Sequence, residues 1–562
     1  MQRRTRLSLI LACTLVAAAC GERDARDARG ERGERDPALY GGTIVIANNA
    51  DVENLNPLVA GERYTQEINR YLLFLPLIRH TAELDYEPAL AERWELLGDT
   101  GIIFHLRRDV RWHDGVPTTA RDVVFTFERV KNPETAYPNS DYFQHWTAVE
   151  APDSFTVRFS FIPHLDPLAG LPFLPIAPAH LLDSIPPARM RQAAFNKRPV
   201  GNGPYRFVEH RTNDRTIFAA NPDFPAALGG KPYIDRIVYR PIPEATAQIA
   251  ELQAGTADII LAPRSAEFAR MSQQPGIRGF QRPGRQYANI MWNGRIPPLD
   301  NPAVRRALTH AIDRVTILQT LRSGYGELAI GPIGPYHWAF DRSIPPVPFS
   351  RDSARTLLAA AGLYDRNGDG TIELPDGRPF QIELKIPANS AINRDMAEMI
   401  RASLAEVGVR ILTRPVDMGT LIEDFTSPHR NFEAVIMGWE SGFRINLYDT
   451  FHSAAWYGQF QIASYRNPRV DALIDSVGRT RHRAEAKPLY AELQRILRDE
   501  QPWTFLYYYP DLVLVRDRLQ GVEMDIRGAF TNITRWYVSG AAGPVPGDSA
   551  DHSRARAPAP PQ

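Results

Sequence analysis

Residues 41–47 read Gly-Gly-Thr-Ile-Val-Ile-Ala. The glycine pair breaks the chain, and the β-branched run behind it predicts a short, buried strand. The same kind of segment returns along the chain. Asp153 to Phe161 alternates around Phe155, Val157, Phe159 and Phe161, which predicts a half-buried strand. Tyr233–Tyr239 and Phe380–Ile386 read likewise. Between them lie helical patterns. Pro302 to Leu318 carries Val304, Ala307, Leu308, Ala311, Ile312 and Val315 at helical spacing. Asp395–Glu406 and Ala484–Leu497 are also predicted helices. Strands and helices interleave over the whole body, so the expected class is α/β or mixed α+β.

Composition sets the scale. At 562 residues the chain exceeds one ordinary core and predicts two to four domains or lobes. An apolar fraction of 44% is that of a globular protein. Lys+Arg and Asp+Glu balance at 65 each, which argues against a nucleic-acid partner. Aromatics at 10% and 47 prolines predict a loop-rich body with apolar pockets rather than a helical bundle.

The two ends differ from this body. Arg3, Arg4 and Arg6 precede an apolar run from Leu7 to Val16, then Ala17-Ala18-Ala19 and Cys20. This is the layout of a secretory signal peptide. A cysteine behind small residues resembles a lipobox, with Cys20 as the lipidated residue and Ala17 where leucine is usual; a plain signal peptide is the alternative. Cys13 and Cys20 are the two cysteines, so no disulfide, cysteine-metal cluster or thiol nucleophile is expected in the folded part. Residues 1–20 are read as the signal peptide and 21–38 as a disordered, charged spacer. Residues 542–562, rich in Ala, Pro, Gly and Ser, are read as a disordered tail. No later run reaches the length of a membrane span.

Catalytic signatures are missing: there is no GxSxG, HExxH, GxxxxGK[ST] or strand-borne GxGxxG. His113-Asp114-Gly115 is read as a turn, with Trp112 packing beside it. One loop offers oxygen ligands in the order of a calcium loop. Asp365, Asn367 and Asp369 stand at relative positions 1, 3 and 5, Gly370 at 6 and Asp376 at 12. Pro379 forbids the usual exiting helix, and a tight Asn-Gly, Asp-Gly turn is the other reading.

Several blocks occur in a fixed order from about residue 41 to 535. They include Asn54-Leu55-Asn56-Pro57, Pro88-Ala89-Leu90-Ala91 with Trp94, Trp112-His113-Asp114-Gly115, and Thr119-Ala120-Arg121-Asp122-Val123. Pro199-Val200-Gly201-Asn202-Gly203-Pro204-Tyr205, Asn221-Pro222-Asp223-Phe224, Ala311-Ile312-Asp313-Arg314, Gly438-Trp439 and Tyr465-Arg466-Asn467-Pro468 follow. Together they resemble the bacterial extracellular solute-binding proteins of family 5, the peptide-binding components of ABC importers. The resemblance implies a periplasmic-binding-protein-like type II fold of two main lobes with a hinge and an inserted third lobe. Lobe I is placed at 39–78, 199–286 and 503–541, lobe II at 79–198, and lobe III at 287–502. The family often carries a Gly-Asp-Gly turn without a metal, so no cofactor is expected.

A monomeric, periplasmic protein of the cell envelope is expected, tethered by the lipid on Cys20. It would capture a peptide between lobes and deliver it to permease subunits with their ATPases. Asp51 and Val52 stand where the family pairs with ligand backbone, and Gly438, Trp439, Glu440 and Arg444 form the second set. Peptide binders place an Asp shortly after the Gly-Trp pair for the ligand ammonium; here none occurs until Asp449. Either Glu440 takes that place, or the ligand lacks a free amine, as in a blocked peptide, an oligosaccharide or a metal chelate. Arg444 is a candidate for a ligand carboxylate. A sensor or enzyme on this fold is the remaining alternative, for which no reactive pair is visible.

Overall fold

The computed structural model describes residues 36–52 and 54–540. Cys20 and the tail 542–562 lie outside the described residues, as does the spacer up to residue 35. The end of the spacer that is described, with Leu39, forms a single turn, Pro37–Leu39, capped by the Asp36 side chain.

Three sheets organise the chain. The first has seven strands in the order Ile277–Arg282, Asp511–Arg516, Ile259–Leu261, Thr43–Asn48, Arg236–Pro241, Arg215–Ala220 and Tyr205–Arg211. The apolar run behind Gly41-Gly42 forms its centre. Thr43–Asn48 pairs parallel with both neighbours, Thr43 opposite Arg236 and Ile46 opposite Ile259. A central strand is covered on both faces, which explains the apolar run. Ile44 and Ile46 face the large core, while Ala47 faces a smaller one with Ile249, Leu252 and Phe268.

The second sheet has six strands in the order Glu327–Leu328, Trp503–Tyr508, Gln286–Trp292, Ala434–Glu440, Gln381–Pro387 and Arg410–Val416. Its two faces also carry separate cores. Ala288, Ile290 and Ile436 pack beneath the helices Pro302–Ala311 and Ala391–Ala405. Tyr287, Met291 and Val435 pack against Pro468–Arg479 and Arg483–Glu500 on the other side. A third, antiparallel sheet of Ala91–Leu97, Gly101–Leu106, Thr156–Phe161 and Trp146–Asp153 shares the large core of the first.

The chain passes between the first two sheets at 283–285 and returns at 509–510. The two crossings touch. A Cβ on Gly284 would lie 2.0 Å from the Tyr509 carbonyl oxygen, so only glycine admits this approach.

Two predicted elements differ in detail. Pro302 to Leu318 is not one helix. It breaks at Ile312, and Asp313 caps a second helix, Arg314–Arg322, by accepting the Thr316 amide at 3.0 Å. The register shifts there, which leaves Val315 51% exposed. Asp153 to Phe161 is the end of one strand, a turn and then the next strand, because Asp153 accepts the Phe155 amide at 2.8 Å. No helix among the described residues is long and apolar enough to cross a membrane.

Candidate functional site

A cavity of 590 Å³ lies where the body of the first and third sheets meets that of the second. One wall carries Gln66, Arg70, residues 138–142 and Phe173. The other carries Trp439 to Gly442, Arg444 to Leu447 and Asp449, with Arg285 and Tyr287 at the crossing.

The second wall follows from strand register. Glu440 ends its strand opposite Gln286, and the Ser441 amide donates to the Arg285 carbonyl at 2.9 Å. The neighbouring strand thus brings Arg285 to Glu440, and the two side chains form an ion pair. The Arg285 guanidinium also lies 4.8 Å above the Phe443 ring. Beyond Gly442 the chain reaches across the cleft. Phe443 stacks on Phe173 at 4.9 Å and approaches His80 at 5.6 Å. Arg444 donates to the Asp141 carbonyl at 3.0 Å and lies over the Tyr142 ring. The predicted second set therefore gathers here, except that Gly438 does not line the cavity. Trp439 serves as wall while packing on Trp503 at 5.3 Å.

Asp51 and Val52 sit elsewhere. The Asp51 carboxylate accepts the Asn213 and Val52 amides at 2.8 and 2.7 Å, and Val52 is 2% exposed. Neither lines the cavity. Asp449, the next acid after Glu440, does line it and accepts the Asn446 side chain at 2.8 Å. Across from it, burial pushes the Asp141 carboxyl up; Arg444 opposes this and the Asp449 charge adds to it.

The first wall was not foreseen. Its helix, Arg63–Ile68, widens into a π-helical turn, Asn69–Leu73, closed by the Phe74 amide on the Asn69 carbonyl at 2.8 Å. The Pro199–Tyr205 motif holds this turn in place. The Asn202 and Gly203 amides donate to the Leu73 carbonyl at 2.9 and 2.8 Å. A Cβ on Gly201 would lie 1.9 Å from that oxygen, and one on Gly203 would lie 2.4 Å from the Leu72 oxygen. His113 braces the same motif, with one ring nitrogen 3.0 Å from the Gly203 carbonyl and the other accepting the Gly201 amide at 3.2 Å. Burial lowers this ring to about 4, so it is neutral at pH 7. His113-Asp114-Gly115 is thus a bracing turn.

The Asp365 loop is a turn whose acids cap its own backbone. Asp365 accepts the Gly368 and Gly370 amides at 2.7 and 2.8 Å. Asn367 accepts the Asp369 amide at 2.8 Å, and Asp369 that of Thr371 at 2.7 Å. Ligand atoms of Asp365, Asp369 and Glu373 converge within 4.8 Å. Asp376 is not among them and instead pairs with Arg378 at 2.7 Å. The twelfth position of the calcium pattern thus lies outside the cluster, and Glu373, at the ninth, stands in it.

The comparisons with known proteins agree with this architecture. The profile described as bacterial extracellular solute-binding proteins, family 5 Middle, matches residues 85–453. The oligopeptide-binding protein AppA of Bacillus subtilis is 27% identical over 545 residues, covering 95% of this chain and 98% of its own. Heme-binding protein A of Haemophilus influenzae is 32% identical over 447 residues, 75% of this chain and 78% of its own. The solved structure of B. subtilis AppA with a nonapeptide aligns with a TM-score of 0.76 at 26% identity, covering 89% of this chain and 99% of that one. The chain belongs to the bacterial extracellular solute-binding proteins of family 5.

Proposed function

We propose that this protein captures peptides between its lobes and delivers them to the permease of an ABC importer. The observation that carries this reading is the 590 Å³ cavity with walls from both bodies, closed across by Phe443 and Arg444. Its relatives include peptide binders such as AppA and the dipeptide-binding protein of Escherichia coli, 27% identical over 520 residues. Lobe I comprises 39–78, 199–286 and 503–541, lobe II 79–198 and lobe III 287–502, with the hinge at the Gly284–Tyr509 crossing. Asp449 and Asp141, rather than Glu440, face a ligand ammonium, because Glu440 already holds Arg285. The protein acts as a periplasmic monomer anchored through Cys20, supported by the charged and apolar segments before it. The Asp365 loop is a structural turn.

The test is a thermal-shift screen over di- to nonapeptides. At a hundredfold excess over its Kd a ligand adds about 2.7 kcal/mol of stability, a readily measured rise in Tm. A flat response to every peptide sinks the peptide assignment. Cys20→Ala should move the protein from membranes to the soluble fraction, and continued membrane association of the variant rules out the anchor. A second reading, capture of haem, is favoured by the relative at 32% identity, whose name is heme-binding protein A.

A further inference from the structure

We infer that Arg70 is the anion-binding residue of the cleft and that the captured solute carries a carboxylate there; this rests on the solute-capture reading above.

Arg70 is 8% exposed and lines the cavity from the π-helical turn. Its guanidinium lies 4.7 Å above the Phe173 ring and 5.3 Å from the centre of the Tyr71 ring. Among the described residues no carboxylate, carbonyl or hydroxyl accepts from it. A guanidinium this deeply placed, with five donors and no acceptor, is costly unless a partner arrives. Two acids close to it in the fold are engaged elsewhere, and Asp141, on the same wall, makes no ion pair with it. Glu67, three residues back, takes Arg282 at 3.3 Å and the Ala529 amide at 2.7 Å. Asp166 takes Tyr86 at 2.5 Å and Arg483 at 3.0 Å.

Behind Arg70 the surroundings are positive as well. Arg79 and Arg527 border the same narrow gap behind Phe173. Arg79 Nε has no hydrogen-bond partner, and Arg527 is held by Asp525 at 2.6 Å. The His80 ring there is pushed down to about 4 by burial and is neutral at pH 7, so it adds no compensating charge. The other cations of the cavity are occupied, Arg285 by Glu440 and Arg444 by the Asp141 carbonyl. Among the described residues Arg70 is thus the cleft arginine without an acceptor, and its planar fork matches a carboxylate in two parallel bonds. A peptide C-terminus and a porphyrin propionate share that chemistry.

The experiment uses the full chain in detergent, as wild type, Arg70→Met and Arg70→Lys. The probes are a di- to nonapeptide library as free acids, the same library as C-terminal amides, haem, and haem dimethyl ester. Binding is read by calorimetry or by haem absorbance. Wild type should bind at least one acid probe about thirtyfold or more tighter than its capped form, the range expected when one member of a buried charged pair is removed. Arg70→Met should abolish that preference, and Arg70→Lys should retain part of it. Acid peptides as the hits uphold the peptide reading. Haem as the only hit, with the ester discriminated against, overturns that reading and upholds Arg70. Acid and capped forms binding wild type within about threefold of each other, or an undiminished preference in Arg70→Met, overturns the role of Arg70. Failure of wild type to bind any of the four sets overturns both. The acid-to-capped comparison on wild type needs no variant, so a poorly folding Arg70→Met leaves the proposal testable.

Discussion

Glu67 and Arg70 lie one turn apart, both more than nine-tenths buried, and their surroundings are opposite. The side that Glu67 faces is a closed electrostatic network. Arg282 bridges Glu67 at 3.3 Å and Asp511 at 3.2 Å, and Arg63 joins both acids. The side that Arg70 faces is a cavity. A buried charge that stabilises the fold brings its partners with it; one that serves a ligand waits for a partner that the chain does not supply. The same contrast separates the two walls of the cleft. On the Glu440 wall Arg285 finds an acid, and on the Arg70 wall the arginine finds none among the described residues.

The largest expected effect lies on the closed side. Glu67→Ala strands Arg282 beside a single remaining acid and should cost about 3–5 kcal/mol in chemical denaturation. A loss under about 1 kcal/mol would mean that the network is not what holds this region. The same network predicts a pH response. Burial by itself would raise the Asp511 carboxyl, but Arg282 and Arg63 outweigh it and hold the group below the usual range. Its folded pKa is depressed, so its contribution is full above the unfolded value of about 3.9 and fades as pH falls through the folded value. Denaturation curves measured between about pH 5 and pH 2 should therefore show stability dropping, with a shallower slope in Asp511→Asn. Equal slopes for the two proteins would remove Asp511 from the account.

On the open side the sign changes. Arg70→Met takes away a buried charge that has no partner among the described residues, so the unliganded protein should keep its stability or gain up to about 1 kcal/mol. A marked loss would show that Arg70 has a partner inside the fold and would erase the contrast. The smallest effect belongs to the half-exposed Arg285–Glu440 pair. Glu440→Gln should change stability by no more than about 1 kcal/mol. It should also weaken free and N-acetylated peptides alike, within a few fold. Selective loss of the free-amine peptide would return the ammonium to Glu440.

Much of the frame was legible before any coordinates. Thr43–Asn48 reads as a buried strand because a central parallel strand is apolar on both faces, and such a run is a local pattern. The Pro199–Tyr205 motif is legible for a similar reason. Its glycines mark where backbone approaches backbone, although the residue approached, Leu73, lies far away in the chain. The break at Ile312 was missed, because helical spacing runs through it and Asp313 caps the second helix from inside the pattern. At the site, Trp439, Glu440 and Arg444 were found by their place after the Gly-Trp pair, and all three line the cavity. Arg70 and Arg285 were not, since one arginine among so many carries no local mark.

The order of strands, helices and tight glycine contacts, and with it the family, follows from the residues in sequence, because spacing along the chain decides each of them. The state of the charges does not. Glu440 is held by Arg285, and Arg70 finds no acceptor among the described residues, although both arginines look alike in the chain. Coulomb and hydrogen-bond energies depend on distances between residues remote in sequence and on the water removed around them, and those exist only once the three sheets have packed.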